Sequence, residues 1–442
     1  MTKTDQPKKS VLERLPLRRE LAAGVGAAVL VLMFAEFVRS GFYMGFLARA
    51  SEHYGLTALA VGSAWSAHLY TDTLMRGPAG VLIQRYGPKV VVMAGAAICL
   101  GALGLLTVSH AGWTLFVVAI LHGVGFSPMW PATMNLTADA AKEGYQGRVL
   151  SLVSTSIMPM SGIGLFAFGI LATRTAPQNV VLLALVTLGI GLALTVLMPR
   201  QRPAHIEQAK KEGKASRSVL HALAPLMPAA LMQTLTQSMI GAWILSMAPK
   251  LGLSDWQLIV ALVIGGAVAF GAMPFTGKFA DRGKARQAVA LGYALVGLAF
   301  LGFAFLPPLP VIFALAPVAG LGYAFLTPGW AALITQLLPE AQRPSAWGVL
   351  MTVESAGFAA GPLLGGLALS TAGPKGLFGL GAALGFLTAL GYLLFKKYFQ
   401  PYPQTFKTDG PGTPSLDPAP PDAAVPIPKV GPDRADAVGD HR

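Results

Sequence analysis

Three ionisable residues, Glu36, Arg39 and Asp72, lie inside stretches of otherwise apolar sequence. The first two belong to the apolar run 21–48, and the third belongs to the next apolar run. A charged side chain at the centre of a membrane helix costs about 2.5–3.5 kcal/mol on insertion scales, so such residues face protein groups or water. Carboxylates that share one cation can take up and release protons when their surroundings change. The three residues therefore predict a proton-coupling site.

The spacing of these residues assigns them to helix faces. Glu36 and Arg39 are three residues apart and share one face, and His68, Asp72 and Arg76 share another at intervals of four. We expect Arg39 to lie between the two carboxylates near the middle of the membrane. The alternative is a structural ion-pair network that holds the first span to the second, with Arg76 extending to the membrane surface.

Polar and aromatic residues within the apolar runs are candidates for a substrate cavity. They are Trp65, His68, His122, Trp130, Gln233 and Glu354. The two histidines fit equally well as packed residues of a helix bundle. Glu354 fits either a second proton site or a packing partner.

The composition predicts an all-α membrane protein. Of the 442 residues, 54% are hydrophobic and 12% are charged, whereas soluble proteins carry about 25% charged residues. Apolar segments of about 20 residues, each long enough to cross a bilayer, recur along the chain. Twelve such spans are predicted near 21–48, 58–83, 89–109, 112–137, 148–172, 180–198, 221–247, 256–276, 287–306, 311–336, 346–370 and 377–395.

The net charge of +13 is explained by its distribution. Basic residues concentrate in the N-terminal arm, the central linker, the loop after the eighth span and the end of the last span. The positive-inside rule then places both termini in the cytoplasm. We expect the protein to lie in the inner (cytoplasmic) membrane of the cell. We expect no nucleic-acid partner. The sequence also shows no metal-ligand, cofactor or nucleophile pattern, so we expect no enzyme, and the single cysteine, Cys99, fits a packing role.

Two segments repeat at a constant offset of 197 residues, which indicates an internal duplication. Gly80 begins one segment whose counterpart begins at Gly277, and Gly123 begins another whose counterpart begins at Gly320. Two parallel six-helix bundles around a central site are typical of transporters that rock between two states. The predicted organisation is a basic arm (1–20), a first bundle (21–198), a basic linker (199–220), a second bundle (221–397) and a disordered Pro-rich tail (398–442).

The repeated segment carries a resemblance to the major facilitator superfamily. The superfamily's charged loop between its second and third spans is matched by Gly80, Gln84, Arg85, Gly87 and Lys89, and its second copy keeps Asp281 and Arg282. The resemblance implies that these residues form a conformational latch. The usual aspartate of the loop is Gln84 here, which implies a weaker first latch.

Glycines and prolines in two spans predict hinge and packing positions. Gly361, Pro362 and Gly365 lie in the eleventh span, and Pro159 lies in the fifth. Glycines allow close helix contact, and a proline removes one hydrogen bond from a helical turn.

A narrower resemblance concerns the charged residues themselves. Glu36 and Arg39, followed by Asp72 thirty-three residues after the arginine, are similar to the pattern in proton-coupled flippases of the lipoteichoic-acid glycolipid anchor. The resemblance implies that the three residues couple protons and face a headgroup, and that Trp130 stacks on a sugar. The offset of 197 pairs these charges with uncharged residues, so the first half is polar and the second half is apolar. Such an asymmetric cavity suits an amphiphile.

We therefore expect a monomeric, proton-coupled secondary transporter that works by alternating access on an amphiphilic small molecule or lipid. Its partners are protons and membrane lipids. A proton-coupled multidrug efflux antiporter, a small-solute transporter and a non-transporting receptor or scaffold are the alternatives.

Overall fold

The computed structural model describes residues 17–51, 55–109, 112–200, 223–337 and 343–399. The predicted arm, linker and tail lie mostly outside these residues. Helices make up nearly all of the described chain. They are α1 (Arg19–Ser40), α2 (Ala58–Tyr86), α3 (Pro88–Gly104), α4 (Gly112–Phe126), α5 (Met129–Ala140), α6 (Gln146–Arg174), α7 (Pro177–Leu194), α8 (Met227–Gly241), α9 (Ile244–Lys250), α10 (Asp255–Phe279), α11 (Ala285–Ala304), α12 (Leu309–Leu337) and α13 (Arg343–Leu394).

Local side-chain bonds fix where key helices begin. The Thr57 hydroxyl accepts the Ala60 N–H at 3.1 Å and caps the start of α2. A capping box starts α10, because the Ser254 hydroxyl accepts the Gln257 N–H while the Gln257 side chain accepts the Ser254 N–H. The capping box satisfies two backbone donors that the first turn of a helix leaves free. Both helices begin at the same end of the molecule.

Two of the predicted single spans are interrupted. The span predicted at 112–137 is broken between α4 and α5, because Pro128 has no N–H to pair with the Val124 carbonyl. The Ser127 hydroxyl donates to that carbonyl instead, at 2.8 Å. The span predicted at 221–247 is broken between α8 and α9. Helix α1, by contrast, continues through a π-helical segment, Gly41–Leu47.

Eight helical stretches of the described residues are long and apolar enough to cross a membrane. Two of them, Asp255–Ala304 and Gly348–Leu394, contain 50 and 47 residues, about twice the length that one crossing needs. Each contains a glycine in the left-handed region, Gly283 (φ +76°) and Gly373 (φ +63°), which interrupts the helix. The twelve crossings and the cytoplasmic termini stay predictions.

The first half of the chain (17–200) meets the second half (223–399) mainly where α2 crosses α13. A Cβ atom on Gly62 would lie 2.2 Å from the Pro362 carbonyl oxygen, so only glycine fits there. Four residues further along α2, the Ser66 hydroxyl accepts the Leu363 N–H at 3.0 Å. These contacts lie near the end of the molecule at which α1 ends and α2 begins. We call it the sealed end.

The halves separate toward the other end, at which α1 begins and α2 ends, and which we call the open end. All hydrogen bonds that the described residues make between the halves lie at the sealed end. Apolar side chains nearer the open end, such as Leu74, Met158 and Met351, are more than half exposed. In this structure the described parts of the two halves are therefore bonded to each other at one end.

Close packing of α1 against α6 positions the charged residues of the first half. A Cβ atom on Gly164 would lie 2.2 Å from the Phe37 carbonyl oxygen, and one on Gly45 would lie 2.5 Å from the Leu165 carbonyl oxygen. The two backbones are thus in direct contact on both sides of Arg39. This contact brings the short Ser161 side chain of α6 within reach of Glu36 on α1.

Candidate functional site

Glu36 is bonded by three helices at once. Both Nε and Nη2 of Arg39 donate to its Oε2, at 3.0 and 2.6 Å, and the Trp130 indole N–H donates to its Oε1 at 2.6 Å. The Ser161 hydroxyl adds a longer bond to Oε2 at 3.4 Å. The carboxylate is only 2% exposed. The Glu36 carboxylate therefore links α1, α5 and α6.

Aromatic rings enclose Arg39 on its other sides. Its guanidinium carbon lies 4.5 Å from the centroid of the Phe126 ring and 5.6 Å from that of Trp65. A cation over an aromatic face gains roughly 0.5–2 kcal/mol, more where water is excluded. The rings therefore stabilise the Arg39 guanidinium in its orientation toward Glu36.

Asp72 has a different partner from the one the sequence predicted. Arg76, one turn further along α2, donates from Nη2 to Asp72 Oδ2 at 2.8 Å and from Nε to Oδ1 at 3.3 Å. The prediction of one cation between two carboxylates is thus wrong for this state, because Arg39 is held by Glu36 at short range. The Asp72 side chain is 2% exposed, whereas that of Arg76 is 42% exposed. This second ion pair therefore reaches the open end.

His68, His122 and Trp65 are packed inside the first half in this state and do not line an open cavity. Both histidines are fully buried and Trp65 is 3% exposed. They form a ring stack with Tyr43, in which the centroids of the two histidine rings lie 4.9 Å apart. Trp130 is half-buried and holds Glu36. The assignment of these four residues to a substrate cavity stays a prediction.

The second half has its own polar pairs. Gln233 is buried and accepts a hydrogen bond from the Tyr293 hydroxyl at 3.3 Å. Glu354 is half-buried and accepts the Trp330 indole N–H at 2.6 Å. The ion pairs among the described residues join Arg39 to Glu36, Arg49 to Asp255 and Arg76 to Asp72, and none involves Glu354. This carboxylate therefore has an indole donor but no countercharge there.

An apolar cleft of about 390 Å³ opens in the second half. Residues of α8 to α13 line it, and Gln237 and Tyr323 are its few polar residues. Phe300, Phe303 and Phe378 supply aromatic surface to its wall. The cleft can hold hydrocarbon, whereas the charged groups of the first half can hold a polar or ionised group.

The sequence reasoning missed an inter-half bond at the sealed end. Arg49, beyond the π-helical segment, forms an ion pair with Asp255 at the start of α10. Its guanidinium also donates to the carbonyl oxygens of Gly169 and Leu245, at 3.2 and 3.1 Å. Arg49 thus ties two helices of the second half to the first. A lone arginine at the end of an apolar run was the only signal for it.

The predicted latch residues lie at the open end. Lys89 donates to the Val196 carbonyl, and the Arg85 guanidinium lies 5.3 Å from the centroid of the neighbouring Tyr86 ring. Gly87 has φ +82°, which favours glycine in the turn between α2 and α3. Asp281 and Arg282 are exposed. Gly80 and Gln84, on the last turns of α2, are half-buried, and a latch function of the set stays a prediction.

The predicted packing residues of α13 contact α8 closely. A Cβ atom on Gly361 would lie 2.6 Å from the Met239 nitrogen, and one on Gly365 would lie 2.7 Å from the Met239 carbonyl oxygen. The Pro362 carbonyl lies against Gly62. Pro159, inside α6, is exposed. The glycines thus occupy tight contacts, and the hinge role stays a prediction.

Known proteins with similar sequences are flippases. The chain is 23% identical over 348 residues to the proton-coupled antiporter flippase LtaA of Staphylococcus saprophyticus, with 77% of this chain and 85% of that protein covered. It is 22% identical over 377 residues to LtaA of Staphylococcus haemolyticus, with 84% and 94% covered. The resemblance to flippases that the sequence predicted is confirmed.

Known structures with a similar fold are transporters. The nucleoside transporter NupG aligns with a TM-score of 0.63 at 14% identity, over 84% of this chain and 98% of NupG. A POT family transporter in complex with a thioalcohol conjugated peptide aligns with a TM-score of 0.60 at 15% identity, over 88% and 99%. The family model of the Major Facilitator Superfamily matches residues 28–318 and 286–425. This chain therefore belongs to the Major Facilitator Superfamily.

Proposed function

We propose that this protein is a proton-coupled secondary transporter that moves an amphiphilic substrate by alternating access. It crosses the cytoplasmic membrane twelve times as a monomer, with both termini in the cytoplasm. The buried Glu36, bonded to Arg39, Trp130 and Ser161 from three helices, is the observation that carries the proposal. A buried charge of this kind in a membrane helix is expensive and is kept for function.

Coupling follows from how the two ion pairs respond to a proton. A proton on Glu36 removes the charge that holds Arg39, and the bonds between α1, α5 and α6 then weaken together. A proton on Asp72 does the same to Arg76, whose exposed guanidinium connects this pair to the open end. Proton uptake thus changes the relative free energies of the two states, which is what coupled transport requires.

The substrate class follows from the unequal halves. The first half offers charged groups and indoles, and the second half offers the apolar cleft of about 390 Å³. A lipid or glycolipid with a polar headgroup and acyl chains fits both surfaces at once. The relatives are named flippases, which supports movement of a lipid between leaflets.

A liposome assay tests the substrate class directly. The purified protein is placed in phosphatidylglycerol vesicles that contain a fluorescent diglucosyl-diacylglycerol, and dithionite reports the probe in the outer leaflet. We expect a pH gradient to change the rate of probe movement between leaflets. Movement of ethidium with no movement of the lipid probe would favour efflux, and movement of a nucleoside or peptide alone would favour a small-solute transporter. Movement of none of these probes would favour a receptor or scaffold.

One observation favours multidrug efflux as the second candidate. Glu354 is half-buried and has no basic partner among the described residues, so it can attract the cationic group of an amphiphilic drug. We expect Glu354→Gln to slow ethidium transport about tenfold if the protein exports cations, since a bond to a charged group contributes about 1.5–3 kcal/mol. The variant should leave movement of the glycolipid within about twofold of wild type, because the glycolipid carries no charge for Glu354 to bind. A twofold change is much smaller than the tenfold change that a difference of about 1.4 kcal/mol produces. Equal losses for both probes would show that Glu354 supports structure and not charge selection. Glu143→Gln, at an exposed site of the first half, is the matched control.

The sealed end supplies a further prediction. Asp255→Asn removes the charge that faces Arg49 while Arg49 keeps its bonds to Gly169 and Leu245. We expect the sealed end to open more often, because a charge-assisted bond contributes about 1.5–3 kcal/mol to the state that contains it. Labelling of Ser66→Cys, which is buried at this end, should become faster. Unchanged labelling would mean that the ion pair does not hold the end closed.

A further inference from the structure

A group of stacked rings lies between the two ion pairs and the sealed end. Tyr43 from the π-helical segment, His68 from α2 and His122 from α4 have ring centroids 4.9 to 5.8 Å apart. Trp65 covers one side of the stack, with its centroid 4.6 Å from that of Tyr43. We call Tyr43, His68 and His122 the ring cluster.

The ring cluster contains five polar atoms that have no hydrogen-bond partner among the described residues. These are the Tyr43 hydroxyl and both ring nitrogens of His68 and His122. The Ala119 carbonyl faces His68 without the geometry of a hydrogen bond. His68 and His122 are fully buried, and Tyr43 is 1% exposed. Buried polar groups in native proteins bond to protein or to ordered water in about nine cases of ten. Five such atoms in one place therefore indicate a site that holds water.

The position of the cluster along α2 is the second observation. His68 lies one turn, about 6 Å, from Asp72 on the same face of the helix. On its other side, Ser66 bonds to Leu363 in the contact that closes the sealed end. Along α2, His68 therefore lies between the contact that closes the sealed end and Asp72.

Charged and titratable groups surround the cluster on every packed helix. They are Arg39 on α1, Asp72 and Arg76 on α2, and Cys99 on α3. The Arg39 guanidinium carbon lies 5.6 Å from the centroid of Trp65, the ring that covers the stack. Such surroundings suit residues that pass a proton on and do not store it.

We infer that Tyr43, His68 and His122, with ordered water between them, form a proton relay from the sealed end to Asp72. The inference rests on the proposed proton coupling and assigns a route to it. The relay operates in the state in which the sealed end is open. In the state described here, the exposed Arg76 side chain connects Asp72 to the open end, so the proton leaves Asp72 toward that end.

The relay conserves protons and charge at each step. A hydronium ion at the opened end gives its proton to one nitrogen of a neutral imidazole and becomes water, and the other nitrogen releases its proton toward Asp72. The carboxylate becomes a carboxylic acid, and its bond to Arg76 weakens. Rotation of the imidazole, or proton return through the Tyr43 hydroxyl and water, restores the original tautomer.

Ring-conserving substitutions test the relay without leaving space in the core. His68→Phe combined with His122→Phe removes four of the five polar atoms and keeps the stack. Tyr392→Phe is the matched control, because its buried hydroxyl in the second half also lacks a partner. When a buried polar atom and the water bonded to it are removed together, no unpaired group is left behind, so stability changes little. All variants should therefore fold, which a thermal melt confirms.

Two rates in the glycolipid vesicles separate the relay from the transport cycle. Movement of the fluorescent diglucosyl-diacylglycerol at equal pH on both sides reports rocking alone, and movement under a pH gradient reports coupling. In the double histidine variant we expect the ratio of the gradient-driven rate to the equal-pH rate to fall by about 10²-fold, as for loss of an acid–base group. Tyr392→Phe should keep both.

The outcomes distinguish the relay from the proposed function. Normal gradient-driven movement in the double histidine variant would overturn the relay alone. An equal loss of both rates would assign the rings a structural role and would also overturn it. Absence of any pH effect in the wild-type protein would overturn the proposed coupling, and with it the relay.

Discussion

Glu36→Gln should abolish pH-driven transport while the protein still folds. The amide keeps an oxygen for the Trp130 indole but can neither lose a charge nor gain one. The rate under a pH gradient should fall by about 10²-fold, as for loss of a proton-transfer group. The measurement is gradient-driven movement of the fluorescent glycolipid in vesicles.

A second variant separates coupling from stability. Glu36→Gln alone leaves Arg39 buried without its counterion, which costs roughly 3–5 kcal/mol in other proteins. Glu36→Gln with Arg39→Gln removes both charges, so its melting temperature should return toward the wild-type value. Its coupling should remain lost. Recovery of pH-driven transport together with stability would contradict the assignment of Glu36 as the coupling group, and Glu143→Gln should behave as wild type.

Gly62→Leu should force the sealed end open. A Cβ atom at this position would lie 2.2 Å from the Pro362 carbonyl oxygen of the other half, so the two halves must move apart. We expect Ser66→Cys to react with a membrane-impermeant maleimide about tenfold faster or more than it does without Gly62→Leu. A minor state is populated to about 0.1–10%, and Gly62→Leu makes the open state the main one. Transport should stop, since the sealed state is no longer accessible.

Substitutions of two other glycines by leucine serve as controls for Gly62→Leu. Gly45→Leu places the same bulk against the Leu165 carbonyl within the first half, so it should lower the melting temperature and not open the sealed end. Gly26→Leu meets no atom within 4 Å and should be neutral. Slow labelling of Ser66→Cys in a folded Gly62→Leu protein would contradict the assignment of this contact as the gate. The native Cys99 is fully buried and should stay unlabelled.

The sequence predicted contacts that are local to one helix. Glu36 and Arg39 pair at an interval of three residues. The face shared by Asp72 and Arg76 is also real, although their pairing was not predicted. Helical periodicity determines which residues of one helix are neighbours. The family, too, could be identified from the sequence, because its loop glycines repeat at a fixed offset.

Contacts between helices could not be derived in the same way. The bond from Arg49 to Asp255 joins residues 206 positions apart, and the indole that holds Glu36 comes from α5, 94 positions away. Both depend on the angle at which backbones cross, which is set by glycine contacts spread over many helices. Tyr43 was missed although it lies one turn beyond Arg39 on the same face.

The central claim is that proton binding by the buried ion pairs shifts the molecule between its two states. Spin labels are attached at Thr175→Cys and Thr371→Cys, which are both exposed near the sealed end. Pulsed electron paramagnetic resonance then measures the distance between the two halves there as the pH is varied. We expect the distance distribution to shift between a short and a long component with pH, and the shift to vanish when Glu36→Gln and Asp72→Asn are combined. A distribution that does not depend on pH in the wild-type protein, or one that still shifts in the combined variant, would contradict the account.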